Sequence, residues 1–306
     1  MTWFSANTVL IQGTVTTLFL ALSIQYPMRV GVFSFAGAGL FGIGGYTAGV
    51  AMTRLGFTTW PAIGLGIAFA GSAGLLLGLV LFRLTGLYLG MATIAFDLIV
   101  VVLAGNLGDL TGGQTGLYGA VGRITLWHLA LVAVVVIAAF ALTERGNSAR
   151  RIEAVHDDPA LASSMGIDVG RYRLTSFLVS GLVAGLGGGL LVLMRTTVTP
   201  DAFGFQLVVL ALTVVVVGGS RSIVGALIGT VVFTWLPAYL AVVGEWRNVV
   251  YGLIVTVAAI YVPAGLWGSI LQLRRRFQQH RRARVPDGPE TEEGAGTLAL
   301  DGMRST

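Results

Sequence analysis

Few side chains in this 306-residue sequence could do chemistry, and their types narrow what is open to it. Cysteine is absent, which removes disulfides, thiolate metal sites and a cysteine nucleophile. The three histidines, His128, His156 and His280, lie far apart and form no ligand-spaced pair, so a metal site has little support. Lysine is absent as well. A phosphate-binding loop of the Walker type ends in Gly-Lys-Ser/Thr and needs that lysine, so the chain is not expected to hydrolyse ATP.

Three polar features remain. Asp97 lies near the middle of an apolar run, where an ionised side chain costs about 2.5–3.5 kcal/mol. It should therefore face a bundle interior or a wet cavity. It could lie beside a translocation path and meet a substrate ammonium, or simply bond to neighbouring groups such as Thr93, four residues earlier. The second feature is the stretch 151–173, RIEAVHDDPALASSMGIDVGRYR. Asp158 suits an N-cap, Pro159 the first helical position and Gly166 a left-handed stop, which predicts a short helix over 159–165. Two turns are too few to be stable alone in water. Ala160, Leu161, Ala162 and Met165 give it a small apolar surface flanked by Glu153, Asp157 and Asp158, suited either to a groove on a partner or to covering the bundle. The third feature is the run Thr111, Gly112, Gly113, Thr115 and Gly116. Its backbone N–H groups, little covered by side chains, could bind an anionic group or seat a partner, or could form a plain turn. A structural or gating role is favoured over direct substrate contact, and Thr111, Gly112 and Gly113 join Thr93 and Asp97 as candidates for the translocation path or gate.

The elements that hold these groups follow from composition. Hydrophobic residues make up 55% and charged residues 11%, against roughly 45–50% and 25% in soluble domains. Continuous uncharged runs of about 20 residues match helices that cross about 30 Å of hydrocarbon, and they lack the short alternating pattern of barrel strands. The fold class is an all-α polytopic membrane protein. Nine apolar segments can be drawn, at about 7–26, 30–53, 60–82, 86–105, 126–143, 174–195, 205–219, 222–243 and 248–267. The seventh is short for a crossing, and the second could be one helix or two, so eight to ten crossings are compatible. The 44 glycines predict close helix packing, with Gly181, Gly185 and Gly189 as a four-residue row.

Arginines set the sidedness. The loop 144–173 carries Arg145, Arg150, Arg151, Arg171 and Arg173, and the tail carries Arg274, Arg275, Arg276, Arg281, Arg282 and Arg284; both are expected to be cytoplasmic. An even number of crossings must separate them, which counting 205–219 as a crossing provides. Nine crossings then place the N-terminus outside and bring Arg29, Arg83 and Arg221 inside. The first segment has no basic residues before it and no clear small-x-small site after it, so it is expected to be retained. The domain reading is a membrane domain over 1–268, containing the loop 144–173, followed by a basic then acidic tail over 269–306, expected to be disordered.

Five motifs in order add a resemblance: FSFAGAGLFGIGGYTAG (33–49), GLYLGMATIAF (86–96), LTGGQTGL (110–117), GGSRSIVGALIG (218–229) and PAGLWG (263–268). With the loop 151–173, they resemble the permease subunit of high-affinity branched-chain amino acid importers of the ABC class. The resemblance implies an ABC-importer permease bundle in a bacterial cytoplasmic membrane. It implies ABC ATPases at the cytoplasmic face, a second permease subunit and an extracytoplasmic solute-binding protein as partners, with ATP held by the ATPases and no cofactor in this chain. The segment from Glu153 to Gly166 would dock on the ATPase and pull on the span starting near Leu174. No nucleic-acid partner is expected. The sequence departs from the family at Gly37, where histidine is common, and at 27–31, Arg221 and Ala264. A urea or short-amide permease of the same class is an alternative. A stand-alone secondary transporter or channel would rest on Asp97 alone for ion coupling, and an intramembrane hydrolase lacks paired acids and a Ser–His pair.

Overall fold

A computed structural model describes residues 7–261 and Gly265. The motif at 263–268, the tail arginines and the region 269–306 lie outside the described residues, apart from Gly265. The chain is a helical bundle, in which each apolar segment of the sequence carries a helix. These are α1 (Thr8–Arg29), α2 (Gly37–Thr53), α3 (Thr59–Val80), α4 (Gly86–Asn106), α6 (Leu126–Thr143), α9 (Val169–Arg195), α10 (Phe205–Gly218), α11 (Ile223–Tyr239) and α12 (Arg247–Tyr261). Three short helices connect them: α5 (Gly108–Thr111), α7 (Gly146–Asp157) and α8 (Pro159–Ser164). Among the described residues, six helical stretches are long and apolar enough to cross a membrane. One is Pro200–Gly218, where a 3-10 turn extends α10 to 19 residues. The helices α2 and α11 have 17 residues each.

Glycine sets the centre of the bundle. In lipid the contact between helices comes from van der Waals fit, so small residues let backbones meet. Gly44 of α2 lies against the backbone of Gly185 in α9, and Gly181 against Ala70 and Gly71 of α3. A Cβ on Gly66 would stand 2.6 Å from the Gly44 carbonyl oxygen, and one on Gly188 would overlap the Phe41 carbonyl oxygen. The row Gly181, Gly185 and Gly189 thus packs α9 onto α2 and α3. Phe19 and Phe41 fill the space beside Gly187 and are fully buried or nearly so. A second glycine seam, Gly218 against Gly225 and Gly229, joins α10 to α11.

The two ends of the bundle differ. At one end the foot of α1, the region 144–157 and the turn 219–223 converge, with Arg29 bonded to Glu144 and Arg221 near Asp157. At the other, β1 (Leu117–Ala120) pairs antiparallel with β2 (Thr196–Val198), Gly122 N–H donates to the Leu193 carbonyl at 2.9 Å, and Arg123 N–H donates to Thr59 Oγ1 at 3.2 Å. The first end is the arginine-rich one, with Arg29, Arg145, Arg150, Arg151 and Arg221.

Two segments depart from the sequence reading. The second apolar segment is not helical from residue 30: residues 30–36 are irregular and α2 begins only at Gly37. Gly31 takes a left-handed φ of 82°, a conformation that ends a helix and suits glycine. The region 144–173 is also more ordered than a loop around one short helix. It is two helices, α7 and α8, and α9 begins at Val169 rather than near Leu174. Asp168 caps that start, its Oδ1 accepting Arg171 N–H at 3.0 Å.

Candidate functional site

The short helix α8 forms as its residues dictate. Asp158 Oδ1 accepts the N–H groups of Ala160 at 2.9 Å and Leu161 at 3.0 Å, with Pro159 in the first turn. Gly166, at φ 82°, stops the helix. Ala162 points inward and is 1% exposed, while Leu161 and Met165 are 59% and 72% exposed. Ala160 and Glu153 are exposed too. An apolar face of a two-turn helix is thus presented at the arginine-rich end.

Its support is α7, which sequence reading missed. Ile152 and Val155 are 5% and 3% exposed, facing the bundle, with Arg150, Arg151 and Glu153 outward. A cavity of about 260 Å³ lies beneath it, lined by Arg29, Glu144, Glu153, His156, Asp157 and Arg221 among others. Arg29 Nη1 stands 3.5 Å from Glu144 Oε1, and the same Oε1 accepts Ile223 N–H at 2.8 Å. Arg221 Nη2 stands 3.9 Å from Asp157 Oδ1 and 3.4 Å from His156 Nε2. Nearby, the fully buried Gln25 donates from Nε2 to the carbonyls of Gly219 and Ser222 at 3.0 and 2.8 Å. These bonds tie α1, α6, α7 and the first turn of α11 into one polar hub. The sequence signal for it was present but diffuse: lone charges at the ends of apolar runs, and one glutamine inside such a run.

Asp97 and Thr93 lie elsewhere. Asp97 is eleven residues into α4, about 16 Å along its axis from the N-terminal end of that helix. It is 2% exposed, and its Oδ1 accepts Gly39 N–H at 2.7 Å. Its Oδ2 is buried with no hydrogen-bond partner. Thr93 is not its partner: Thr93 Oγ1 donates to the Gly90 carbonyl and accepts Phe35 N–H at 3.0 Å.

The third group stands at the opposite end. Thr111 is 6% exposed and its Oγ1 donates to the carbonyls of Ala104 and Leu107. Gly112 N–H donates to the Gly108 carbonyl, Gly113 N–H to Thr111 Oγ1 and Gly116 N–H to the Gly113 carbonyl. The expected supply of uncovered N–H groups is therefore spent within the loop at these three glycines. All three have φ between 61° and 84°, so the turn itself requires glycine. The candidate residues fall into three places along the bundle axis: the arginine-rich end, a contact inside the bundle and a turn at the opposite end.

The sequence of this glycine-packed helical bundle is matched by a known family. The family model described as the permease component of the branched-chain amino acid transport system matches residues 6–259. This chain belongs to that permease family. Among similar proteins, the high-affinity branched-chain amino acid transport system permease protein LivM of Escherichia coli (strain K12) is 26% identical over 247 residues, covering 69% of this chain and 58% of that protein. The LivM of Salmonella typhimurium (strain LT2) gives the same figures. The probable branched-chain amino acid transport permease protein LivH of Methanocaldococcus jannaschii is 28% identical over 244 residues, covering 72% of this chain and 75% of that one. The chain thus spans a little over half the length of the LivM relatives. No solved structure matches it. The permease is a multi-pass membrane protein, in keeping with its family and its apolar helices.

Proposed function

We propose that this permease is one membrane-spanning subunit of an ATP-driven importer for branched-chain or related amino acids, acting in a bacterial cytoplasmic membrane. The observation that carries the reading is α8: a capped, two-turn helix that presents Leu161 and Met165 outward at the arginine-rich end. A helix this short gains stability from packing, and its free apolar face fits a groove on a partner. The partner is proposed to be an ABC ATPase, and the residues that meet it are Glu153, Asp157, Asp158, Pro159, Ala160, Leu161, Ala162, Met165 and Gly166. With no lysine in the sequence, the ATP is proposed to be bound and hydrolysed by those subunits. A second permease and an extracytoplasmic solute-binding protein complete the importer.

In mechanism, ATP closes the ATPase pair and α8 moves with it. The motion reaches α9 through the short link 165–168. It also reaches α1, α6 and α11 through the polar hub, since Asp157 faces Arg221 and Glu144 holds both Arg29 and Ile223 N–H. Two discrete arrangements of the bundle then expose the path to alternate sides. The substrate preference rests on the relatives, which are branched-chain amino acid transport permeases and favour amino acids over urea or short amides. The expected outcome of co-expressing this chain with its proposed ABC ATPases and second permease subunit is a single complex that survives detergent extraction. A chain that purifies alone and takes up solute on an ion gradient would instead support a secondary transporter.

A further inference from the structure

The helix α2 starts in the middle of the bundle rather than at its end. Residues 30–36 climb from the arginine-rich end in an irregular path, so the first turn of α2 lies level with Thr93 and Asp97 of α4. The N–H groups of a helix's first turn have no intrahelical acceptors, and water at a membrane surface would normally satisfy them. Ala36, at the N-cap, has no side chain that can accept a hydrogen bond.

We propose that Asp97 is a positioning residue: it caps the interrupted second segment from the neighbouring helix and latches α4 to the core. The geometry matches that role. Gly39 is the third residue of α2, the position whose N–H an aspartate N-cap ordinarily serves, and Asp97 Oδ1 takes it at 2.7 Å. Four residues earlier on the same face of α4, Thr93 takes Phe35 N–H at 3.0 Å. Two side chains of one helix therefore hold the backbone on either side of the start of α2. Gly39 permits the approach, since a Cβ there would stand 2.5 Å from Asp97 Oδ1. The latch adds a polar tie to an apolar seam: on the same helix Phe96 and Val100 pack beside Gly39 and Gly42 of α2, while Leu98, Ile99, Val102 and Leu103 face outward and are about half exposed. This assignment rests on the fold, not on the identity of the transported solute.

The latch is tested in the full chain, inserted in membranes with its partners co-expressed. Because the sequence has no cysteine, Ser34→Cys supplies a single thiol, at a position 2% exposed beside the break. Its reaction with a membrane-permeant maleimide reports whether 30–36 stays packed on α4, with no need for substrate. Asp97→Asn keeps an acceptor oxygen and should label at the parental rate. Asp97→Ala should label at least about tenfold faster, the change expected on losing a buried acceptor. Thr93→Val, similar in shape but without an acceptor, should fall between and keeps the test open if Asp97→Ala does not accumulate. Equal labelling of Asp97→Asn and Asp97→Ala would mean that charge, not hydrogen-bond acceptance, is what the site needs, and would overturn the assignment. So would parental labelling of Asp97→Ala or Thr93→Val. Failure of transport with normal latch behaviour would count against the importer reading alone.

Discussion

Gly188→Val should leave almost no folded permease to extract from the membrane, while Gly64→Ala should fold as well as the parent or slightly better. Gly188 of α9 lies directly on the Phe41 carbonyl of α2, and Gly45 N lies 2.9 Å from where a Cβ would be. The obstruction is backbone, so no rotamer change relieves it. Core overpacking typically costs about 1–3 kcal/mol, and here two whole helices would have to part. Lipid offers no hydrophobic drive to reclose them, because helix association in a bilayer depends on that fit. A loss of about 3 kcal/mol or more is expected, enough to deplete the native state. Gly64 lies on the outside of α3 with nothing within 4 Å of a Cβ, and alanine there should add up to about 1 kcal/mol of helix stability. The check is the yield of monodisperse protein in mild detergent and its thermal midpoint. A Gly188→Val protein that melts like its parent would mean that α2 and α9 do not touch as described.

Ala160→Asp should uncouple the importer without unfolding this subunit. Ala160 is exposed on α8 and lies in its first turn, where an added carboxylate suits the helix dipole. The helix should therefore persist. What changes is the surface offered to the ATPase: burying an unpaired charge in an apolar groove costs several kcal/mol. Solute-stimulated ATP hydrolysis should fall by about a hundredfold or more, with normal amounts of inserted protein. Leu161→Asp should behave alike, since Leu161 is 59% exposed on the same helix. Asp158→Ala should be milder, because losing an N-cap costs about 1 kcal/mol. Normal coupling in Ala160→Asp would remove the docking role from the segment 153–166.

Much of the fold was legible in the sequence because membrane helices announce themselves by length. The stretch 126–143 became α6 over the same residues, and the stretch 86–105 became α4 with one residue added. The short seventh segment gained its reach from the turn Pro200–Phe203, whose buried Phe203 packs on Gly42 and Gly45 of α2. The capped helix at 159–165 was legible because Asp158, Pro159 and Gly166 act locally. The break at 30–36 was not, for apolarity runs on through Val30, Val32 and Phe35 and only the φ of Gly31 marks it. Nor was the partner of Asp97. Gly39 is 58 residues away in the chain, and a glycine's N–H leaves no trace in a sequence. The hub of Arg29, Glu144, His156 and Arg221 left only a diffuse signal of lone charges, since it takes the folding of three distant segments, at residue 29, residues 144–157 and residue 221, to bring those groups together.

Uptake into sealed vesicles tests the central claim most directly. The permease is reconstituted with its second permease subunit, the ATPases and the binding protein, and labelled leucine is followed with ATP, with a non-hydrolysable analogue, and with ion gradients collapsed. Uptake that requires hydrolysable ATP and the ATPases, and that ignores the ion gradients, is the predicted result. Uptake by this chain alone, driven by an ion gradient and indifferent to ATP, would contradict it.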